Sequence, residues 1–103
     1  MREIVLDTET TGLSPQNGDR VVEIGCVELI NHIATGKTYQ TYLNPQKPME
    51  PSAEEVHGLS NEFLRDQPLF EEIFRDFLDF ISDSPLVIHN ADFDIGFLNS
   101  ELK

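Results

Sequence analysis

Apolar and polar positions alternate along the first 43 residues in the way that β-strands require. The apolar run at residues 4–6 predicts a buried strand over residues 3–9, and β-branched residues predict a second strand over 20–30 and a third over 33–43. Proline and glycine in residues 14–19 predict a turn, and Asn31-His32 suits a hairpin tip. Three successive strands with short connections predict an antiparallel meander.

The pattern becomes helical in the second half of the chain. Residues 44–51 contain three prolines and predict a loop, after which Ser52 and Glu55 match a capping box that starts a short helix ended by Gly58. Apolar residues then recur at helical spacing over residues 70–81 and predict an amphipathic helix. Residues 86–89 predict a short apolar strand, and a last helix is predicted from Ala91 onward.

This order of elements predicts the fold class. A strand that follows a crossover helix normally lies parallel to its neighbour in the sheet. We therefore expect an α/β fold with a mixed sheet, in which strands 1–3 are antiparallel, strand 4 is parallel to strand 1, and helices flank the sheet. The length of 103 residues fits a single domain.

Composition limits the classes of function and compartment. The formal net charge of −12 argues against a basic nucleic-acid-binding face, although bound metal ions can bring an acidic site to a phosphate. Cys26 is the only cysteine, so an intrachain disulfide is excluded and a reducing cytoplasm is the expected location. No apolar run approaches the roughly 20 residues that span a bilayer, so no membrane association is expected.

Two acids at the end of the first strand are the strongest candidates for chemistry. Asp7 and Glu9 are two residues apart and face the same side of a strand, roughly 6–7 Å apart along the backbone. A solvated strand end is the simpler interpretation, but paired carboxylates also suit hard divalent cations. Asp94 follows the next apolar strand, and three converging carboxylates would suit two ions roughly 3.5–4 Å apart.

Two segments resemble the motifs of a known enzyme family. Residues 7–13 (DTETTGL) resemble the first motif of the DEDD superfamily of 3′–5′ exonucleases, and residues 89–98 (HNADFDIGFL) resemble its second motif. Residues 56–60 (VHGLS) resemble a further segment of the branch that proofreads for bacterial replicative polymerases. The resemblance covers nearly the whole chain and implies a ribonuclease H-like fold. The family's third motif, which supplies a general-base histidine and a fourth acid, is missing, so residues 1–103 are expected to form one incomplete, truncated exonuclease domain.

The resemblance also implies roles for individual positions. Asp7, Glu9 and Asp94 match catalytic acids that bind two Mg²⁺ or Mn²⁺ ions. Five further residues match positions that contact the 3′-terminal nucleotide: Thr10, Gly12, Leu13, His57 and Phe93. The implied partners are the single-stranded 3′ end of DNA and the polymerase catalytic subunit of the replicase. Because the base and fourth acid are missing, the 103-residue piece alone is expected to be inactive or nearly so.

Alternatives remain open at this stage. The chain could be the exonuclease segment of another polymerase, or an RNA 3′-processing nuclease of the same superfamily. It could instead be a metal- or nucleotide-binding or protein-interaction module without catalysis.

Overall fold

The computed structural model describes residues 1–49, 51–89 and 91–102, so Glu50, Lys103 and Asn90, a residue of the second motif, lie outside it. The strands of the described part are β1 (Arg2–Thr10), β2 (Val21–Ile30), β3 (Ile33–Tyr42) and β4 (Leu86–Val87). Its α-helices are α1 (Pro51–His57), α2 (Asn61–Arg65), α3 (Phe70–Ile81) and α4 (Ala91–Leu102), and a short 3-10 turn covers Pro15–Asn17. None of these helices has the length and apolar character that crossing a membrane requires.

The strands form one mixed sheet in the order β3-β2-β1-β4. β1 pairs antiparallel with β2, β2 pairs antiparallel with β3, and β4 pairs parallel with β1. The β2–β3 hairpin turns at Asn31 and His32, which both adopt positive φ angles of 51° and 69°. Adjacent positive φ angles are those of a two-residue hairpin turn. The predicted mixed α/β sheet is confirmed.

Helices α3 and α4 cover one face of this sheet. Their buried residues, which include Phe77 and Phe97, pack against Ile4 and Leu6 of β1 in the main core. Because side chains alternate along a strand, the odd-numbered residues of β1 face the other side of the sheet. The sequence pattern of β1 therefore directs Ile4 and Leu6 to the core and the acids Asp7 and Glu9 away from it.

A β-bulge lies at the end of β1 that carries the acids. The register between β1 and β2 shifts between Glu9 and Thr10, so that Val21 rather than Val22 pairs with Thr10. Both valines are buried, but Val21 belongs to the main core, whereas Val22 packs in a second cluster with Met49 and Leu64. A bulge changes the direction in which a side chain points. Here Val22 points towards Met49 and Leu64, and this contact holds the segment that carries α1 and α2 beside the end of β1.

The structure corrects three details of the predicted elements. Helix α1 begins at Pro51, so Ser52 lies inside the helix and is not its N-cap, and the predicted loop is shorter than residues 44–51. Helix α2 was not predicted. Strand β4 covers only Leu86–Val87 instead of residues 86–89, because the chain leaves the sheet after two paired positions and enters α4 at Ala91.

Candidate active site

Asp7 and Glu9 lie beside each other on the outward face of β1, as predicted. Both line a cavity of about 290 Å³ whose other walls include Gly25 and His57. The acids come from the strand, whereas His57 is the last residue of α1. The cavity thus joins the first motif to the segment at residues 56–60, which are separated by more than forty positions in the sequence.

A further acid, Glu23, was missed by the sequence analysis and lines the same cavity. It pairs with Glu9 across the β1–β2 ladder, and its carboxylate accepts a hydrogen bond of 2.9 Å from the side-chain amide of Gln40. Residues that pair across a ladder share a face of the sheet. The odd-numbered position of Glu23 on β2 indicates which face of the sheet its side chain lies on. Only the register of the β1–β2 ladder shows that it pairs with Glu9.

Asp94 is held at the margin of this site by α4. It lies in the first turn of that helix, is only 4% exposed, and accepts a hydrogen bond of 2.8 Å from the Thr8 hydroxyl. The helix is attached at its other end by Glu101, which accepts hydrogen bonds from Arg20 Nε at 2.7 Å and from the Val21 N–H at 3.1 Å. Asp94 is therefore held by its own hydrogen bond from Thr8 and by the attachment of α4 at Glu101.

The three predicted acids influence one another electrostatically. The pKa of Glu9 is raised, first by burial and then by the negative charge of Asp7, with smaller contributions from Glu23 and Asp94. The pKa of Asp94 is raised by burial and also by Asp7, while its hydrogen bond from Thr8 opposes the increase. These raised pKa values indicate that the negative charges of the acids at this end of the sheet are only partly compensated.

The donor chemistry of the site fits a divalent cation, although the three acids do not converge on one point. Within residues 1–49, 51–89 and 91–102, no group of three His, Cys, Asp or Glu side chains is arranged to hold a metal ion. Asp94 bonds to Thr8, but its negative charge still acts on Glu9, and the charge of Asp7 acts on Asp94. Carboxylate oxygens are nevertheless the ligands that Mg²⁺ and Mn²⁺ prefer, and a cation relieves repulsion between like charges.

Both ring nitrogens of His57 are engaged within the chain. The Leu59 N–H donates to Nδ1 at 3.0 Å, so Nδ1 is an acceptor, and Nε2 lies 3.1 Å from the carbonyl oxygen of Thr10. A carbonyl only accepts, so Nε2 carries the proton and the ring is neutral. His57 thereby connects the end of α1 to the end of β1. Its contact with substrate stays a prediction.

The remaining residues of the first motif differ in their accessibility. Thr10 is buried and its hydroxyl donates to the carbonyl oxygen of Gly12 at 2.7 Å, so it shapes the chain between β1 and β2. Gly12 is buried as well. Leu13, in contrast, is 84% exposed, which is unusual for a leucine. Of these three predicted substrate contacts, Leu13 alone presents a large apolar side chain to solvent.

Phe93 sits at the edge of the main core. Its ring packs against Phe97 with 4.8 Å between ring centroids, and it is half-buried. The structure thus places Phe93 one residue before Asp94 on α4, with part of its ring accessible. Its predicted contact with a nucleotide is compatible with this position and stays a prediction.

A larger cavity of about 350 Å³ lies elsewhere, between α3 and the Arg20–Glu101 ion pair. Arg20 and Glu101 already satisfy each other, and the third charged residue of its lining, Glu71, is exposed on α3. None of the predicted catalytic acids lines this cavity. We therefore assign the chemistry to the smaller cavity at the end of β1.

Known proteins resemble this chain over its whole length. The model of an exonuclease family, RNase_T, matches residues 4–103. DNA polymerase III subunit epsilon of Rickettsia prowazekii (strain Madrid E) is 59% identical over 103 residues, which are 100% of this chain and 45% of the relative. The same subunit of Buchnera aphidicola subsp. Schizaphis graminum is 47% identical, over 99% of this chain and 46% of the relative. The chain therefore spans about half the length of the curated relatives it matches.

Solved structures share the fold. Exonuclease X in complex with 5′ overhanging duplex DNA aligns with a TM-score of 0.78 and 26% identity, over 92% of this chain and 52% of that one. The nuclease domain of 3′hExo, a DEDDh family member bound to rAMP, aligns with a TM-score of 0.80 over 97% of this chain and 57% of that one. At 18% identity, the latter match shows the fold alone. The ribonuclease H-like fold and the resemblance to DEDD exonucleases are confirmed.

Proposed function

The chain belongs to the exonuclease family, and on that premise we propose that the protein carrying it is a 3′–5′ exonuclease that proofreads DNA. It hydrolyses the 3′-terminal phosphodiester bond and releases nucleoside 5′-monophosphates. The observation that carries the proposal is the pair of acids Asp7 and Glu9, which share one face of β1 and one cavity with His57. Members of this family generally use divalent metal ions.

In the proposed site, Asp7, Glu9 and Asp94 would hold two divalent cations, Mg²⁺ or Mn²⁺. Such ions, when bound, lower the pKa of a water molecule and stabilise negative charge on a phosphoryl oxygen. Thr8 orients the Asp94 carboxylate by the hydrogen bond of 2.8 Å. His57 orients the chain around Thr10 through Nε2, and it acts in the neutral state that its two hydrogen bonds require.

The terminal nucleotide needs a surface that accepts any base. Leu13 offers an exposed apolar side chain and Phe93 offers part of an aromatic ring. Stacking on apolar and aromatic surfaces is largely independent of base identity, and a proofreading nuclease has to remove all four bases. Thr10 and Gly12 shape the backbone between these contacts and the acids.

The proposed partner is the polymerase catalytic subunit of a bacterial replicase. Its support is the 59% identity to a polymerase III subunit named epsilon. Because this relative is a DNA polymerase subunit of a bacterium, we also propose the cytoplasm as the location.

The experiment uses the full natural protein that carries this chain, with a 5′-labelled single-stranded DNA oligonucleotide and Mn²⁺. We expect stepwise shortening from the 3′ end and release of nucleoside 5′-monophosphates. Asp7→Asn should abolish the reaction because it removes a negative ligand without changing the size of the side chain.

Asp92→Asn is the matched control. Asp92 is an exposed acid in the same helical turn as Asp94 and bonds to none of the site residues described above. This variant should retain activity. Absence of shortening in the unmodified protein, or shortening that survives Asp7→Asn, contradicts the proposal.

A further inference from the structure

One buried carboxylate, that of Asp19, organises the loop between β1 and β2. Asp19 is 8% exposed. Its Oδ1 accepts a hydrogen bond of 2.9 Å from the Thr11 hydroxyl, and its Oδ2 accepts one of 3.1 Å from the Ser14 N–H. Thr11 and Ser14 stand directly before and after Gly12 and Leu13. The carboxylate therefore holds both ends of the two-residue segment that presents Leu13 to solvent.

The same carboxylate lies directly against Gly12. A Cβ atom at position 12 would come within 2.4 Å of Asp19 Oδ2 and 2.7 Å of its Cγ. Gly12 is not among the glycines with positive φ, so the close approach of Asp19, and not the backbone conformation, requires a glycine here. The loop and the carboxylate are packed as one unit.

Lys47 connects this unit to the other side of the site. Its Nζ donates to Asp19 Oδ1 at 2.7 Å, and both side chains are largely shielded from solvent. Burial alone would raise the pKa of Asp19, but the hydrogen bonds from Lys47, Ser14 and Thr11 outweigh it and lower the pKa. Lys47 is two residues before Met49, which packs with Val22 and Leu64 beneath α1 and α2.

We propose that Asp19 and Lys47 are positioning residues for the nucleotide site. Their ion pair connects the Gly12–Leu13 segment to Lys47, and the nearby Met49 packs against Ala53 of α1 and Leu64 of α2. Leu13 and His57 are thereby held in a fixed relation for the terminal nucleotide. This inference rests on the function proposed above. It concerns nucleotide binding alone, because neither residue contacts Asp7, Glu9 or Asp94.

The test is Lys47→Met in the full natural protein. Calorimetry measures the affinity for Mn²⁺ alone and then for thymidine 5′-monophosphate in the presence of Mn²⁺. We expect nucleotide affinity to fall roughly tenfold, which is the scale of one charge-assisted hydrogen bond, and Mn²⁺ affinity to stay unchanged. Lys47→Arg should restore nucleotide binding because it keeps the positive charge.

Lys37→Met provides the matched control. It removes the same charge from an exposed position on β3, away from the loop, and should leave nucleotide affinity unchanged. A purely structural role for Lys47 would lower the affinities for metal and nucleotide together and in step with the melting temperature, and that outcome overturns the inference.

A double-mutant cycle tests the route through Leu13. If Lys47 acts by holding Leu13, then Lys47→Met should have little further effect on nucleotide affinity in a Leu13→Ala background. Additive losses overturn the inference while leaving the proposed function intact, as does unchanged binding by Lys47→Met. Failure of the unmodified protein to bind the nucleotide with Mn²⁺ overturns both this inference and the proposed function.

Discussion

Gly25 is a glycine that neither the backbone nor the packing of the chain requires. It pairs with Asp7 across the ladder and lines the cavity that contains both first-motif acids. It has no positive φ, and a Cβ atom at this position would meet no atom of residues 1–49, 51–89 and 91–102 within 4 Å. A glycine in a strand interior weakens the strand and often marks a site where a ligand approaches closely. The free space beside Asp7 is where the proposed phosphate and cations would lie.

Replacement of Gly25 by alanine should therefore separate folding from binding. We expect the free energy of unfolding to stay constant or to rise by about 0.5–1 kcal/mol, because alanine restricts the unfolded chain more than glycine does. The affinity for thymidine 5′-monophosphate with Mn²⁺ should fall, because the new methyl group occupies the cavity. Denaturant unfolding and calorimetry measure the two quantities.

Gly96→Ala controls for the general effect of adding a methyl group. Gly96 lies inside α4, and a Cβ atom there would also meet no atom of the described residues within 4 Å. Alanine should therefore stabilise the helix by about 1 kcal/mol without affecting binding. Nucleotide affinity that is unchanged in Gly25→Ala contradicts the assignment of this space to the ligand.

At the scale of elements, the predictions succeeded where a periodic pattern was long. The twelve residues of α3 repeat apolar positions at helical spacing, and the burial of residues alternates along most of β1 and β2, which have nine and ten residues. Helix α2 has only five residues, too few to show a period. Its one local signal is Ser60, whose side chain accepts a hydrogen bond of 3.1 Å from the Phe63 N–H. Position 63 is phenylalanine, so Ser60 lacks the Glu or Gln three residues later that completes a capping box.

The two serines give a direct test of this correction. Ser60→Ala should lower the free energy of unfolding by about 1 kcal/mol because it leaves the Phe63 N–H without its cap. Ser52→Ala should be neutral or slightly stabilising, since Ser52 lies exposed inside α1 and alanine is the better helix former. Urea unfolding of the two variants measures both effects. An equal loss in both variants would mean that Ser52 also acts as a cap.

At the scale of the whole molecule, the fold class was predictable, whereas the contacts that build the site were not. The crossover rule placed β4 parallel to β1, and strand alternation placed Asp7 and Glu9 on one face. The hydrogen bond between Thr8 and Asp94 joins residues 86 positions apart, and that between Lys47 and Asp19 joins residues 28 apart. Neither pair has a local pattern, because such contacts depend on how the elements pack.

The reactivity of the Cys26 thiol measures whether this packing is intact. It is buried in the main core opposite Leu6, and burial raises the pKa of its thiol from 9.0 to about 11. The thiolate fraction at pH 8 is therefore about 100-fold lower than in the unfolded chain. We expect iodoacetamide to label native Cys26 very slowly and the urea-unfolded chain rapidly. Labelling of the native protein at the rate of a free thiol would contradict a closed core.

The same shift predicts how stability depends on alkaline pH. The unfolded chain loses the thiol proton near pH 9, whereas the folded chain keeps it until about pH 11. The free energy of unfolding contributed by Cys26 is therefore fully present below pH 9 and decreases as the pH rises towards 11. Cys26→Ala should show a smaller decrease over that interval, and a slope identical to that of the unmodified protein would contradict this assignment.

The contact between Gly12 and Asp19 also constrains the order in which these positions can change during evolution. A side chain that appears first at position 12 meets a carboxylate 2.4 Å from its Cβ, whereas loss of the carboxylate first costs three hydrogen bonds but leaves room for a later Cβ. The effect of a substitution at position 12 thus depends on the residue at position 19, which is epistasis between the two positions. Gly12→Ala should destabilise the present protein and be tolerated in an Asp19→Ser background, and the melting temperatures of the two single variants and the double variant would measure this difference.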